Sequence, residues 1–437
     1  MSIFSKNTKV ENGLSIAGVS ADSLAGDFGT PLFVVDEDDF RTRAQGFKAS
    51  LEKHFGSHAG TVYYASKAFL NKEIAKWVES EGLGIDVATG GELASVLASG
   101  FPADRITMHG NNKSEDEIGA AIKAGVGIIA IDSHHEIERV ARIATSAKKI
   151  QKVIIRVTPG VEAHTHEFIA TAHEDQKFGF SLASGAAWRA IEQVESQSSL
   201  NLIGLHAHIG SQIFSEAGYE LAAERLLGLM AKFRDHYDTE MQHLDIGGGF
   251  GVAYLPGESS VDIDAIFEKL APYIEKIAKG LGLKVPKISI EPGRAIAAPT
   301  TTTLYTVGTT KNIELDGGDT RRYIAVDGGF IDNLRPALYG AQYHCVLANR
   351  SSSSHTVLSR VVGKHCESGD VLIRDIDLPE DIHPGDLLAV PVTGAYGRMM
   401  ANNYNHLTRP AVVAVKDGKA RLIVRRESID DILALEL

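Results

Sequence analysis

Lys67 stands directly behind an apolar segment, TVYYAS from Thr61, whose β-branched and aromatic residues are typical of a strand. A lysine whose amine is buried at such a place is a candidate nucleophile, because burial penalises the ammonium form and the neutral amine condenses with carbonyl groups. A surface lysine at the first position of a helix would also directly follow a strand, and it would have no catalytic role. The interpretation of Lys67 therefore depends on the residues that accompany it.

Two further segments offer partners for an anionic, electron-accepting ligand. The glycines of DIGGGFG, at 245–251, let backbone N–H groups approach an anion closely, although glycine clusters also make plain turns. In IEPGR, at 290–294, an acid and an arginine flank a Pro-Gly turn. Glu291 could pair with a pyridinium nitrogen, and Arg294 could bind a carboxylate or phosphate with two hydrogen bonds. A structural Glu–Arg pair has the same spacing.

The segment HAHIGSQ places His206 and His208 two residues apart, so both would point to one face of a strand. A zinc pair is one interpretation, and VEAHTHE offers a second pair at His164 and His166. We favour stacking of a histidine on an aromatic cofactor and predict no metal. For His206, a plain core histidine is a further interpretation.

Candidates for substrate contact lie nearer the C-terminus. Cys366, in KHCESGDVL, is a possible proton donor if its domain reaches a barrel mouth, and otherwise a small buried residue. Tyr396, in GAYGRMM, ends a predicted strand. Arg335 and Tyr339, in NLRPALYG, would share a face if that segment is helical.

Short apolar strands alternate with longer amphipathic segments between about residues 60 and 295, which predicts parallel strands joined by helices. Eight such units fit a (β/α)8 barrel better than an open sheet. The predicted strands are TVYYAS, LGIDVA, RITMHG, GIIAID, KVIIRVT, LIGLHAHI, QHLDIGG and KISIEPG. Each ends in a polar residue, and these would converge on one face of the barrel: Lys67, Asp86, His109, Asp132, Arg156, His208, Asp245 and Glu291.

Beyond about residue 300 the predicted helices give way to short strands separated by turn signals, which indicates an all-β barrel or sandwich. We expect the (β/α)8 barrel to span residues 39–300 and the β domain 301–437. Residues 1–38, with the apolar segment PLFVV, would contribute to the β domain.

Composition narrows the class of protein. A net charge of −12 over 437 residues argues against a nucleic-acid surface. The chain has two cysteines, which suits a reducing compartment. Neither a signal peptide nor an apolar run long enough to span a bilayer is evident, so we expect a cytoplasmic protein without membrane segments.

Taken in order, the motifs resemble those of the fold-type III decarboxylases, which use pyridoxal 5'-phosphate (PLP). The resemblance is strongest to the actinobacterial type that acts on meso-diaminopimelate. It covers essentially the whole chain and is carried by YYASKAF, HGNNKS, VEAHTHEF, HEDQKFGFS, HIGSQIF, DIGGGFG, EPGRAIA, RPALY and HCESGD. It implies a PLP-binding barrel, a C-terminal β domain and a homodimer with active sites at its interface.

The resemblance also implies roles for single residues. Lys67 matches the Schiff-base lysine, His208 the histidine that stacks on the ring, and Glu291 the pyridinium partner. Cys366 matches a proton donor delivered across the dimer interface together with Glu367. The remaining matches are cofactor contacts at Ser211, Gly249, Pro292, Gly293, Arg294 and Tyr396, and substrate contacts at Arg294, Arg335, Tyr339, Glu367 and Tyr396.

One segment departs from the family pattern, because GRMMANNYN follows TGAY where an aromatic residue and serines are expected. The implied reaction is decarboxylation of meso-diaminopimelate to L-lysine and CO2, the last step of lysine biosynthesis. Two arginines near the substrate favour a substrate with a distal carboxylate. This distinguishes the hypothesis from an ornithine or arginine decarboxylase, whose substrates end in a cation. A PLP racemase, a non-catalytic PLP-binding homologue and a cofactor-free aldolase are competing hypotheses.

Overall fold

The computed structural model describes residues 3–161, 177–318 and 320–437. The chain divides into two compact units. The sheet unit comprises Met1–Thr42, Val252–Ser259 and Ile296–Leu437, and the barrel unit comprises Arg43–Gly251 and Ser260–Ala295. The predicted pair His164 and His166 lies outside the described residues.

The sheet unit begins with three short antiparallel strands, β1 (Thr8–Val10), β2 (Leu14–Ile16) and β3 (Val19–Ser20). Helix α1 (Ala21–Phe28) follows, and the Ser20 hydroxyl caps it by accepting from the N–H of Ser23. Strand β4 (Leu32–Asp36) is buried along its whole length. It is the strand contained in the apolar segment PLFVV.

The barrel unit is built on parallel strands that close on themselves. Eight of them pair in a ring in the order β5-β6-β7-β8-β9-β11-β12-β13, with β13 paired to β5 and the short β10 added to β9. The strands are β5 (Ala59–Ala65), β6 (Gly84–Val87), β7 (Ile106–Met108), β8 (Ile128–Ile131), β9 (Gln151–Thr158), β10 (Phe180–Ser181), β11 (Leu200–His206), β12 (His243–Asp245) and β13 (Lys287–Ile290). The predicted barrel is confirmed.

Amphipathic helices connect these strands, and local signals fix their ends. Ser114 and Glu117 form a capping box at the start of α5, and Gly125 ends that helix with a left-handed backbone, φ +83°. The helices are α2 (Glu37–Phe55), α3 (Lys72–Ser80), α4 (Gly90–Leu97), α5 (Glu115–Ala124), α6 (His134–Ser146), α7 (Ala186–Glu195), α8 (Ala217–Tyr237), α9 (Ile263–Gly280) and α10 (Arg294–Ala297).

The C-terminal part of the sheet unit is rich in strands, as predicted. Its sheet runs in the order β18-β17-β15-β14-β4-β20-β21, and β19 pairs with β14 and β16. Strand β4 lies antiparallel to β14 and parallel to β20. The elements are β14 (Thr301–Glu314), β15 (Thr320–Val326), α11 (Arg335–Tyr339), β16 (Val346–Leu347), β17 (Thr356–Val362), β18 (Val371–Pro379), β19 (Leu387–Val390), β20 (Ala411–Lys416), β21 (Lys419–Val424) and α12 (Ile429–Leu433).

Each unit has its own apolar interior. Leu32, Val34 and Leu304 contribute to the core of the sheet unit, and Tyr63 and Ile154 to one cluster of the barrel unit. Among the described helices, none is long and apolar enough to cross a membrane. Because the eight barrel strands are parallel, the polar residues that follow them lie at one end of the barrel.

Candidate active site

Glu291 lies at the centre of the barrel site, one residue beyond β13. Its carboxylate is 8% exposed, and each of its oxygens faces an imidazole nitrogen. Nε2 of His109 lies 2.7 Å from Oε1, and Nε2 of His206 lies 3.2 Å from Oε2. Burial alone would raise the pKa of Glu291, but the two histidines hold it well below its usual value.

Lys67 lies two residues beyond β5, and its side chain is exposed within the single chain. The burial that the sequence suggested is therefore not seen. Its charge contributes to lowering the pKa of His208 after burial, the larger cause, and it opposes the burial that raises the pKa of Asp86. Lys67 thus acts electrostatically on both His208 and Asp86.

His208 lies beyond the end of β11, so the predicted placement of both histidines in one strand is wrong, and the two residues take different partners. Strand β11 ends at His206, and Nδ1 of His208 accepts a hydrogen bond of 3.2 Å from the N–H of Gly248. His206 instead makes a hydrogen bond to the carboxylate of Glu291. Among the described residues, His208 is not part of the group of three potential metal ligands that contains His206. The described residues that bring three potential ligand atoms within 4.8 Å are His109, His206 and Glu291.

The glycines after β12 form a loop that has no room for side chains. A Cβ atom on Gly248 would overlap with the carbonyl oxygen of Glu291, and one on Gly247 would lie 2.6 Å from the carbonyl oxygen of Ala207. Asp245 accepts from the N–H of Gly247 at 2.8 Å, and buried Tyr219 donates to the carbonyl of Gly248 at 2.9 Å. Tyr219 was not singled out by the sequence, where it is one of many residues on a long helix.

The EPGR segment packs against the strand that precedes Lys67. The carbonyl of Pro292 accepts from the N–H of Ala65 at 3.1 Å. A Cβ atom on Gly293 would lie 2.7 Å from Cβ of Ala65, so glycine permits this approach. Arg294 begins α10 and donates a hydrogen bond of 2.9 Å to the hydroxyl of Ser211.

These residues fit PLP by their chemistry. The exposed amine of Lys67 is accessible to an aldehyde, and the Gly247–Gly249 loop offers backbone without side chains beside Ser211 and Arg294. Oε1 of Glu291 has no hydrogen bond of regular geometry within the described chain, which leaves it able to accept one. An ionised carboxylate in this position suits a pyridinium nitrogen.

The second arginine of the prediction, Arg335, lies in the sheet unit at the start of α11. Its guanidinium lies 4.5 Å from the ring centre of Tyr254 and donates to the hydroxyl of Tyr343 at 3.1 Å. Burial lowers the pKa of Arg335, but the nearby tyrosines outweigh it and raise the pKa. Tyr339 is on the same helix and is exposed, so the two residues have different surroundings.

Cys366 and Glu367 are exposed in the loop between β17 and β18. The buried carboxylate of Asp370 fixes this loop, because it accepts from the N–H of His365 at 3.0 Å and of Phe330 at 2.7 Å. The loop is therefore anchored at both ends while its middle stays accessible.

The segment that departs from the family pattern contacts the residue next to Cys366. The ring of Tyr404 lies 5.7 Å from that of His365, and Oδ1 of Asn405 lies 3.2 Å from Nδ1 of His365. Tyr396, at the start of the segment, has a left-handed backbone with φ +65°. Tyr404 and Asn405, which keep the expected residue types at the end of this segment, thus pack against the Cys366 loop.

A barrel of parallel strands with this site defines a class of cofactor-binding enzymes. The family model described as "Pyridoxal-dependent decarboxylase, pyridoxal binding domain" matches residues 38–298. The cofactor is therefore PLP, and the class is that of the fold-type III decarboxylases.

Similarity to known proteins extends over the whole chain. The chain is 53% identical to a diaminopimelate decarboxylase of Mycobacterium tuberculosis over 97% of this chain and 94% of that one. Identity to the enzyme of Bacillus subtilis is 46%, over 97% and 95%. A crystal structure of the M. jannaschii enzyme in complex with L-lysine matches with a TM-score of 0.91 at 28% identity, covering 99% and 98%. The chain belongs to the diaminopimelate decarboxylase family.

Proposed function

We propose that the chain decarboxylates meso-2,6-diaminopimelate to L-lysine and CO2, the last step of lysine biosynthesis. The observation that carries the choice of substrate is Arg335. This buried cation contacts two tyrosine rings and has no carboxylate partner anywhere in residues 3–161, 177–318 and 320–437. A buried unpaired cation is costly, and a carboxylate on the substrate would offset that cost.

The residues of the barrel unit bind the cofactor, on which the reacting end of the substrate is held. When bound, PLP supplies a ring that withdraws the electron pair of the breaking bond between Cα and the carboxylate. Lys67 would hold the cofactor covalently through its amine. Glu291 would pair with the ring nitrogen, His208 would stack on the ring, and the Gly247–Gly249 loop with Ser211 and Arg294 would hold the phosphate. Pro292 and Gly293 shape the same turn.

A proton has to reach Cα once CO2 has left. We assign it to Cys366, with Lys67 as the other possible donor. Arg294, Arg335 and Tyr339 bind the distal carboxylate, and Glu367 binds the distal ammonium. Tyr396 contacts both substrate and cofactor. The chain acts as a homodimer with active sites at its interface, in the cytoplasm.

Substrate choice is tested by incubating the protein and PLP separately with meso-diaminopimelate, ornithine and arginine. We expect L-lysine from the first and no amine product from the other two, because neither has a distal carboxylate for Arg335. Putrescine or agmatine instead would favour an ornithine or arginine decarboxylase. No product from any substrate would overturn the decarboxylase assignment.

The role of Arg335 is tested by Arg335→Met. We expect KM for meso-diaminopimelate to rise by about 100-fold, since a hydrogen-bonded charge pair is lost, with a smaller change in kcat. Arg374→Met, at an exposed arginine of β18, is the matched control and should leave KM unchanged. An unchanged KM for Arg335→Met would contradict the assignment.

A further inference from the structure

The Glu291 carboxylate is contacted from two sides by histidines that belong to different strands. His109 follows β7 and His206 ends β11, and their ring centres are 4.8 Å apart. His206 is 1% exposed and His109 8% exposed, so neither reaches bulk solvent. The two contacts, at 2.7 and 3.2 Å, involve one oxygen each.

The direction of its pKa shift distinguishes Glu291 from two other buried acids of the barrel, Asp86 and Asp245. Burial, and then the charge of Glu291, raise the pKa of Asp86 and of Asp245 well above their usual value. Glu291 is shifted in the opposite direction by its histidines. Neighbouring carboxyl groups with opposed shifts take different roles, and Glu291 is the one that stays ionised.

His206 acts as a neutral donor. Burial lowers its pKa to about 4, so the ring is uncharged at neutral pH. Its Nδ1 has no hydrogen-bond partner among the described residues, and Nε2 faces Glu291. The tautomer with its proton on Nε2 satisfies both observations, because a carboxylate only accepts.

We propose that His109 and His206 are positioning residues that fix the Glu291 carboxylate as the acceptor for the ring nitrogen of PLP. The inference rests on the proposed function and deepens it, because it assigns a role to two residues that the proposed function leaves without one. Without the hydrogen bond from His206 and the close contact with His109, a buried carboxyl group prefers its neutral form. A neutral Glu291 no longer keeps the ring nitrogen protonated, and the ring becomes a weaker electron acceptor.

The inference is tested with His206→Leu and His206→Gln, and with the corresponding variants of His109. His243→Leu is the control, since His243 is another histidine in the barrel with a pKa near 4 and has no hydrogen bond to Glu291. Each variant is titrated with PLP by fluorescence, and the absorption band of the bound cofactor is recorded against pH. We expect His206→Leu to shift the pH dependence of this band and to weaken PLP binding by at least about 10-fold.

Turnover with two cofactors separates positioning from a structural role. The 1-deaza analogue of PLP has a C–H group in place of the ring nitrogen, so it offers nothing to Glu291. We expect His206→Leu to lower kcat at least about 10-fold with PLP and far less relative to wild type with the analogue. His206→Gln, which keeps a donor, should recover most of the loss.

Two results would overturn the inference: an unaltered band and PLP affinity in the leucine variants, or an equal fractional loss of kcat with both cofactors. Thermal unfolding of each variant checks that the barrel is folded. A wild-type protein that binds PLP but releases no lysine would refute the proposed function alone, because the absorption and affinity measurements would still decide the role of the histidines.

Discussion

Individual buried charges carry most of the functional argument, and the sequence located some of them and not others. Glu291 was predictable because it ends an apolar strand and precedes a Pro-Gly turn. His109 was placed at the same face of the barrel and His206 was singled out, but their contacts with Glu291 were not predicted, since His109 is 182 positions from Glu291 in the chain. The contacts of Tyr254 and Tyr343 with Arg335 could not be predicted from the sequence, because ring contacts depend on tertiary packing rather than on local sequence pattern.

Asp332 gives a prediction at the residue scale. It is fully buried, its Oδ2 accepts from the N–H of Gly329 at 3.1 Å, and burial raises its pKa to about 7. A folded pKa above the unfolded value contributes stability that is complete below about pH 3.8 and is lost as the pH rises through about 7. The loss amounts to about 4 kcal/mol at most.

Asp332→Asn keeps the acceptor and removes the titration. We therefore expect wild type to lose stability relative to Asp332→Asn between about pH 4.5 and pH 8, as measured by urea unfolding of both proteins at each pH. The same difference at both pH values would show that Asp332 does not titrate as its burial implies.

At the scale of elements, strand prediction succeeded throughout the barrel, including the three-residue strands β7 and β12. All eight barrel strands were located because each combines β-branched residues with a polar residue at its end. The two-residue strands β10 and β16 were not predicted. Whether such short segments pair depends on their neighbours in the sheet. The local sequence pattern therefore does not predict these two strands.

Lys113 joins the ends of β7 and β8 and supplies a second prediction. Its amine, which is 0% exposed, donates to the carbonyls of Gly110 and Ala130 and to Glu136, each at 2.7 Å. Lys113→Met leaves Glu136 buried without its partner, so we expect a loss of about 3–5 kcal/mol in the free energy of unfolding. The control Lys123→Met, at an exposed position of α5, should change it by less than about 0.5 kcal/mol. Equal effects of the two variants would contradict a structural role for Lys113.

The glycine loop after β12 supplies a third prediction. Gly248→Ala forces a methyl group against the carbonyl of Glu291, so we expect a loss of about 1–3 kcal/mol of stability. PLP binding should weaken in parallel because the loop moves. Gly119→Ala is the control, since this helical glycine has open space and alanine there should stabilise α5 by about 0.5–1 kcal/mol. A Gly248→Ala protein with normal stability and PLP affinity would refute the close packing of the loop.

At the scale of the whole molecule, the proposed dimer leads to a test by complementation. If Cys366 acts in the site of the partner subunit, Lys67→Ala and Cys366→Ala proteins are each inactive, and a mixed dimer regains one complete site. Random exchange in an equal mixture should restore about a quarter of wild-type activity. Mixing that restores nothing, although mass spectrometry shows mixed dimers, would place Lys67 and Cys366 of one chain in the same site.

The most direct test of the central claim is the stoichiometry of products from meso-diaminopimelate. The account predicts one CO2 and one L-lysine for each substrate consumed by the PLP-bound protein. It also predicts neither product from Lys67→Ala, which should lose the cofactor absorption band on dialysis. Stereochemical inversion of the substrate without release of CO2 would contradict the account and identify a racemase on the same fold.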